Sequence, residues 1–135
     1  MTNVARAPRF STAAAEALAR ALFGISAKAQ PLPSERDQNF LLKEDSGRKF
    51  VFKIANPEEE RSIIEMQNEA MRRLAETAPG LCPTVFPNTK GETITIIEES
   101  GARPIARLVS YAEGVPLAQK VMLTLLETCW SKVST

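Results

Sequence analysis

Along the chain, apolar residues recur first with the period of a helix and then with the period of strands. Ser11 or Thr12 can cap a helix through Phe23, an Ala/Leu-rich run (Ala13, Ala14, Ala15, Leu18, Ala21, Leu22) that Gly24 terminates. Ile25 to Leu32 and Asn39 to Lys43 read as extended stretches split by Pro33-Ser34-Glu35-Arg36-Asp37, whose proline and short polar side chains favour a turn. After a second turn closed by Gly47, Lys49-Phe50-Val51-Phe52-Lys53-Ile54 places residues of like character two apart, as a strand requires. One packing helix followed by three antiparallel strands is the expectation.

Asn56-Pro57 followed by Glu58, Glu59 and Glu60 predicts a helix start, with Asn as cap, Pro in the first turn and three carboxylates at the positive end of the dipole. The helix is expected over 57–77. Ile63, Gln67, Ala70, Met71 and Leu74 fall within roughly 80° of arc at 100° per residue, whereas Glu65 and Glu69 point away. A glutamine therefore sits inside an apolar stripe. Pro79-Gly80 ends the helix, and Thr84 to Phe86, Glu92 to Glu98 and Pro104 to Tyr111 predict three further strands. Leu117 to Val133 is helix-permissive. The fold class expected is α+β, a five- or six-stranded antiparallel sheet with one main packing helix and an N-terminal helix.

Composition narrows the options. The 135 residues fit one domain or lobe but not an enzyme that closes two lobes around two substrates. With 44% hydrophobic and 24% charged residues and a net charge of +1, the chain reads as an ordinary soluble globular protein without a basic field for nucleic acid. Cys82 and Cys129 are far apart and there is no histidine, which argues against a zinc site and excludes a histidine base. No apolar run approaches the ~18 residues of a membrane span. Met1 to Phe10 lacks the apolar core of a secretory signal, so a cytoplasmic protein is expected.

Lys53 is the most informative charged residue. A lysine near the end of a buried strand is unusual unless its ammonium is paired, although an edge lysine that snorkels to water gives the same pattern. The following helix distinguishes the two, because a strand ending in lysine, a short turn and a helix with an inward polar side chain is how kinases hold α- and β-phosphates.

Four blocks extend this pattern in order: Leu32-Pro33-Ser34-Glu35-Arg36-Asp37-Gln38-Asn39-Phe40, Phe50 to Asn56, Met66-Gln67-Asn68, and Arg107 to Leu117. Together they resemble the N-terminal lobe of the aminoglycoside phosphotransferase (choline kinase-like) family. Within it they are most similar to hydroxylysine kinase and to the domains fused to class III aminotransferases. The resemblance covers about residues 10 to 118. It implies a protein-kinase-like N-terminal lobe that binds ATP with Mg2+, from an enzyme that phosphorylates a hydroxyl on a small amine or amino-acid-like molecule.

Carried over residue by residue, the resemblance makes Ser34, Asp37, Gln38 and Asn39 part of the nucleotide-positioning turn and Lys53 the phosphate-binding lysine. The family's usual partner for that lysine is a glutamate on the next helix; here the helical phase presents Gln67, with Glu69 as the fallback ion-pair partner. Glutamine orients an ammonium without neutralising it. Val109, Ser110 and Ala112 form the hinge beside adenine, and Gly114 and Pro116 lead toward a second lobe. The catalytic base and metal ligands belong to that lobe, and no aspartate follows Gly114. The expected organisation is a tail at 1–10, a nucleotide-binding lobe at 11–113 and an atypical end at 114–135, with no catalytic or metal-binding residue in this chain. By that reading the chain alone is inactive in transfer. A non-catalytic nucleotide-sensing or interaction module, self-associating through the surface a second lobe would cover, is the other reading.

Overall fold

The computed structural model describes residues 8–34, 36–78 and 83–111. The chain order is α1 (Thr12–Phe23), β1 (Lys28–Leu32), β2 (Gln38–Lys43), β3 (Lys49–Ile54), α2 (Arg61–Thr77), β4 (Val85–Phe86), β5 (Thr95–Ile96) and β6 (Ile105–Ser110). The strands form one antiparallel sheet in the order β1-β2-β3-β6-β4, and β5 shares the outer edge of β6 with β4. The expected class, six antiparallel strands with two helices, is the one observed.

Register divides the sheet into two faces. On one, Phe40 pairs with Phe52 and Phe52 with Leu108, flanked by Leu42 beside Phe50 and by Ile54 beside Ala106. These side chains and α1, through Ala15 and Ala19, form the main core. Phe23 meets the ring of Phe52 edge-on at 6.0 Å, and Phe86 fastens β4 by an edge contact to Phe50 at 5.4 Å.

The ends of α1 follow from two residues. Ser11 is the cap, its hydroxyl accepting from the N–H of Ala14. At the other end Gly24 adopts φ 69° and donates to the Arg20 carbonyl at 3.0 Å. Gly24→Ala is expected to lower stability by about 1 kcal/mol, because an L side chain is disfavoured in the left-handed region. A shift in the urea midpoint without a change in slope checks it.

The structure departs from expectation at α2, which starts at Arg61 rather than Pro57. Asn56 does not cap a helix. It is buried, at 2% exposure, with its Oδ1 accepting from the Glu58 N–H at 2.9 Å and its Nδ2 donating to the Arg36 carbonyl at 3.2 Å. That local side-chain-to-backbone turn competes with helix formation and wins. The α2 cap, Glu60, makes no side-chain capping bond. The buried stripe also includes Ile64 and Asn68, while Ala70 and Leu74 are only half-buried.

β5 is shorter than the predicted Glu92 to Glu98, because Asn88 folds the preceding loop: its Oδ1 accepts from the N–H groups of Lys90 and Glu92. Ala112, the crossing at Gly114 and Pro116, the helix at 117–133, Pro79-Gly80 and both cysteines lie outside the described residues.

Candidate functional site

The second face of the sheet carries the candidate site. Leu41, Val51 and Val109 form one row across β2, β3 and β6, and Asn39, Lys53 and Arg107 form the next. Beyond it, Ala55 and Ile105 pack against Ile64 of α2. The helix therefore covers the far end of this face, immediately past the polar row. Directly opposed residues on antiparallel strands hold their Cβ atoms about 5 Å apart, so the two cations of the row are neighbours.

Arg107 is the residue that sequence reasoning missed. In the sequence it begins a motif block, yet in the fold it is 6% exposed in the middle of β6. Its Nη1 donates to Asn68 Oδ1 at 3.0 Å, and Asn68 Nδ2 donates onward to the Thr93 carbonyl at 3.3 Å. The signal was present: an arginine inside the apolar run from Pro104 to Val109 is seldom buried unless it is paired.

Gln67 is buried at 5% exposure on the same side of α2 as Asn68. Glu69 is not available as the fallback partner of Lys53. It lies on the outer surface of α2, bonded to Arg72 at 2.7 Å and Arg73 at 3.0 Å. Hydrogen bonds from Arg72 and then Arg73 hold its carboxyl at about 2, well below the ordinary value of 4.5.

In the turn between β1 and β2, the predicted residues hold each other. Ser34 donates to the Asp37 carbonyl, and Asp37 Oδ1 accepts from the Asn56 N–H at 3.1 Å. Together with the Asn56 bond to Arg36, this ties the turn to the segment after β3. Gln38 faces elsewhere, its amide bonded in both directions to the backbone of Phe10 at 2.7 Å. Asn39 joins the Lys53 row, and its buried Oδ1 has no hydrogen-bond partner among the described residues.

Val109 is buried on the Lys53 face. Ser110 is tied to Thr84 through its backbone N–H and its hydroxyl, both at 2.9 Å. Thus the structure brings Asn39, Lys53 and Val109 to one face and sets Gln38 apart; Gln67 is buried on α2.

Two openings are lined by other residues, one of about 310 Å³ at α2 that includes Arg61, Glu65, Asn68 and Thr93. A cleft of about 480 Å³ lies between α1 and β1, lined by Glu16, Arg20, Lys28 and Asp45, on the opposite side of the sheet. Among the described residues no group of three or more His, Cys, Asp or Glu side chains could hold a metal ion. None of the described helices is long and apolar enough to cross a membrane.

Comparison with known proteins agrees with this architecture. No family model matches the chain. Hydroxylysine kinase of Mus musculus is 35% identical over 83% of the chain, that of Bos taurus 32% over 83%, and that of Danio rerio 30% over 83%. The chain spans about a third of the length of these relatives, 33% in each case. Among solved structures, the microcompartment-associated aminopropanol kinase superposes with a TM-score of 0.63 at 16% identity, covering 71% of this chain and 30% of that one. Amicoumacin kinase hAmiN, solved with AMP-PNP, Ca2+ and Ami, gives 0.52 at 14% identity over 64% of this chain and 26% of its own. The structural likenesses establish the fold and the sequence likenesses the kinship: the chain is homologous to about a third of hydroxylysine kinase and has the fold of the matching part of the aminopropanol and amicoumacin kinases.

Proposed function

We propose that this chain supplies the ATP-binding lobe of a phosphotransferase acting on the hydroxyl of a small amine or amino-acid-like molecule. The observation that carries the reading is the polar row Asn39–Lys53–Arg107 on the face of the sheet whose far end α2 covers, with Gln67 buried on that helix. A compact ammonium at Lys53 suits the α- and β-phosphates of ATP, whose charge it offsets where water is excluded. The turn at 33–37, tied down through Asn56, would present backbone N–H groups to phosphate oxygens. Val109 would lie against adenine, with the Ser110 carbonyl as an edge contact and Ala112 as the next hinge position.

The residues present fit a nucleotide better than they fit its metal. Lys53 is suited to phosphate, whereas the described residues hold no carboxylate cluster for Mg2+. Bound Mg2+ would shield phosphate charge, with ligands from outside the described residues. The chain's own part is then to bind and orient, and transfer needs a base and metal ligands from elsewhere. Hydroxylysine as acceptor is the reading favoured by kinship with the curated relatives, of which this chain matches a third.

Titration of the chain with ATP, ADP and adenosine by calorimetry, each with Mg2+, tests this reading. Affinity is expected to fall from ATP to ADP and most steeply to adenosine, because the row acts on phosphate. Equal affinity for all three, or none for any, would overturn the proposal.

A further inference from the structure

The Arg107–Asn68 contact lies next to the proposed nucleotide site. Arg107 stands directly opposite Lys53 on the neighbouring strand. Like charges so placed repel, and a buried guanidinium cannot escape by losing its proton. Asn68 Oδ1 accepts from Arg107 at 3.0 Å, and Asn68 is held from its other side by the bond to Thr93. The arginine of the sheet, the helix and the loop before β5 thus meet at one amide.

That amide belongs to the residue after Gln67, and both are buried on the sheet side of α2. Gln67 and Asn68 are both neutral, and Glu69 is committed to Arg72 and Arg73. A hydrogen bond from guanidinium is charge-assisted, about twice as strong as one between neutral groups, and it is directional. Apolar contact between Ile64, Ala55 and Ile105 holds the helix near the sheet, but such contact is non-directional and does not by itself fix rotation about the helix axis.

We propose that Arg107 is a positioning residue: through Asn68 it sets the rotation of α2 on the sheet, and so holds Gln67 beside Lys53. The consequence for binding rests on the nucleotide reading above; the tether itself does not. Losing Arg107 and losing Asn68 both break this one contact. Asp in place of Asn68 retains the acceptor for Arg107 but gives up the amide donor to Thr93, so it isolates the Arg107 arm of the tether.

The test uses Arg107→Met, Asn68→Ala, their double variant and Asn68→Asp. Amide hydrogen exchange is followed in α2, with α1 as the internal control, and Mg-AMP-PNP affinity by calorimetry. Each single variant should speed exchange about tenfold in α2 but not in α1, and weaken binding about fivefold to tenfold, as expected for loss of one charge-assisted bond. The double variant should lose less than the sum of the singles, because both break one contact, and Asn68→Asp, which keeps the acceptor, should speed α2 exchange less than Asn68→Ala. Unchanged α2 exchange in both singles, or fully additive losses in the double variant, would overturn the proposal. If Arg107→Met does not fold, Asn68→Ala and Asn68→Asp decide it. If wild type binds no Mg-AMP-PNP, the nucleotide reading fails, and the exchange experiment alone settles the tether.

Discussion

Phe52→Ala is expected to destabilise the protein by about 3–5 kcal/mol. Phe52 is fully buried, at 0% exposure. It lies between Phe40 and Leu108 in register and meets Phe23 of α1 edge-on. Removing its ring empties the centre of the contact between α1 and the sheet, which a backbone held by strands on both sides cannot collapse to fill. Since whole domains are stable by only about 5–15 kcal/mol, most of the protein would unfold at a modest urea concentration. Equilibrium unfolding by circular dichroism checks this; a loss below about 1 kcal/mol would mean that the core is centred elsewhere.

Asn56→Ala is expected to cost about 2–3 kcal/mol, and its effect should be local in origin. The substitution leaves the Arg36 carbonyl and the Glu58 N–H without their partner at a site 2% exposed. Each buried polar group so orphaned costs about 1–3 kcal/mol, less where water reaches it. Faster exchange should appear first at residues 36–38 and 58, before any global change. Asn56→Asp should not rescue it, because the new carboxylate loses the donor to Arg36 and lies near Asp37, which accepts from the residue 56 N–H. Nucleotide affinity should fall with the turn, since Asn56 is what ties it to the segment after β3.

The residues that decided whether the chain could be read are few. β3 was legible because its alternation is strict and its two faces differ: Phe50, Phe52 and Ile54 are buried, and Lys53 stands on the other side. α1 was legible because Ser11 and Gly24 punctuate it in the way isolated helices require. The start of α2 was misread because Asn56, Pro57 and the glutamates satisfy every local rule for a cap, while the side chain of Asn56 is used across the chain by Arg36. A tertiary hydrogen bond leaves no trace in a local pattern.

The site divides in the same way. Strand end and helix phase, which are properties of single elements, single out Lys53 and Gln67 as candidates. They do not single out Arg107, because its meaning comes from the register of β6 on β3, which pairs it with Lys53, and from Asn68 on a distant helix. Gln38 was grouped with the turn by adjacency, but β2 begins at that residue, and its amide is spent on Phe10. Glu69 failed as a partner because helix phase turns it outward, where two arginines hold it.

The central claim is that Lys53 is the phosphate-binding group of a nucleotide site. Calorimetric titration of MgATP into the wild-type chain and into Lys53→Ala tests it most directly. Loss of one charge-assisted contact to phosphate predicts an affinity at least about tenfold weaker in the variant, with the fold intact by circular dichroism. Equal MgATP affinity in the two proteins would contradict the account.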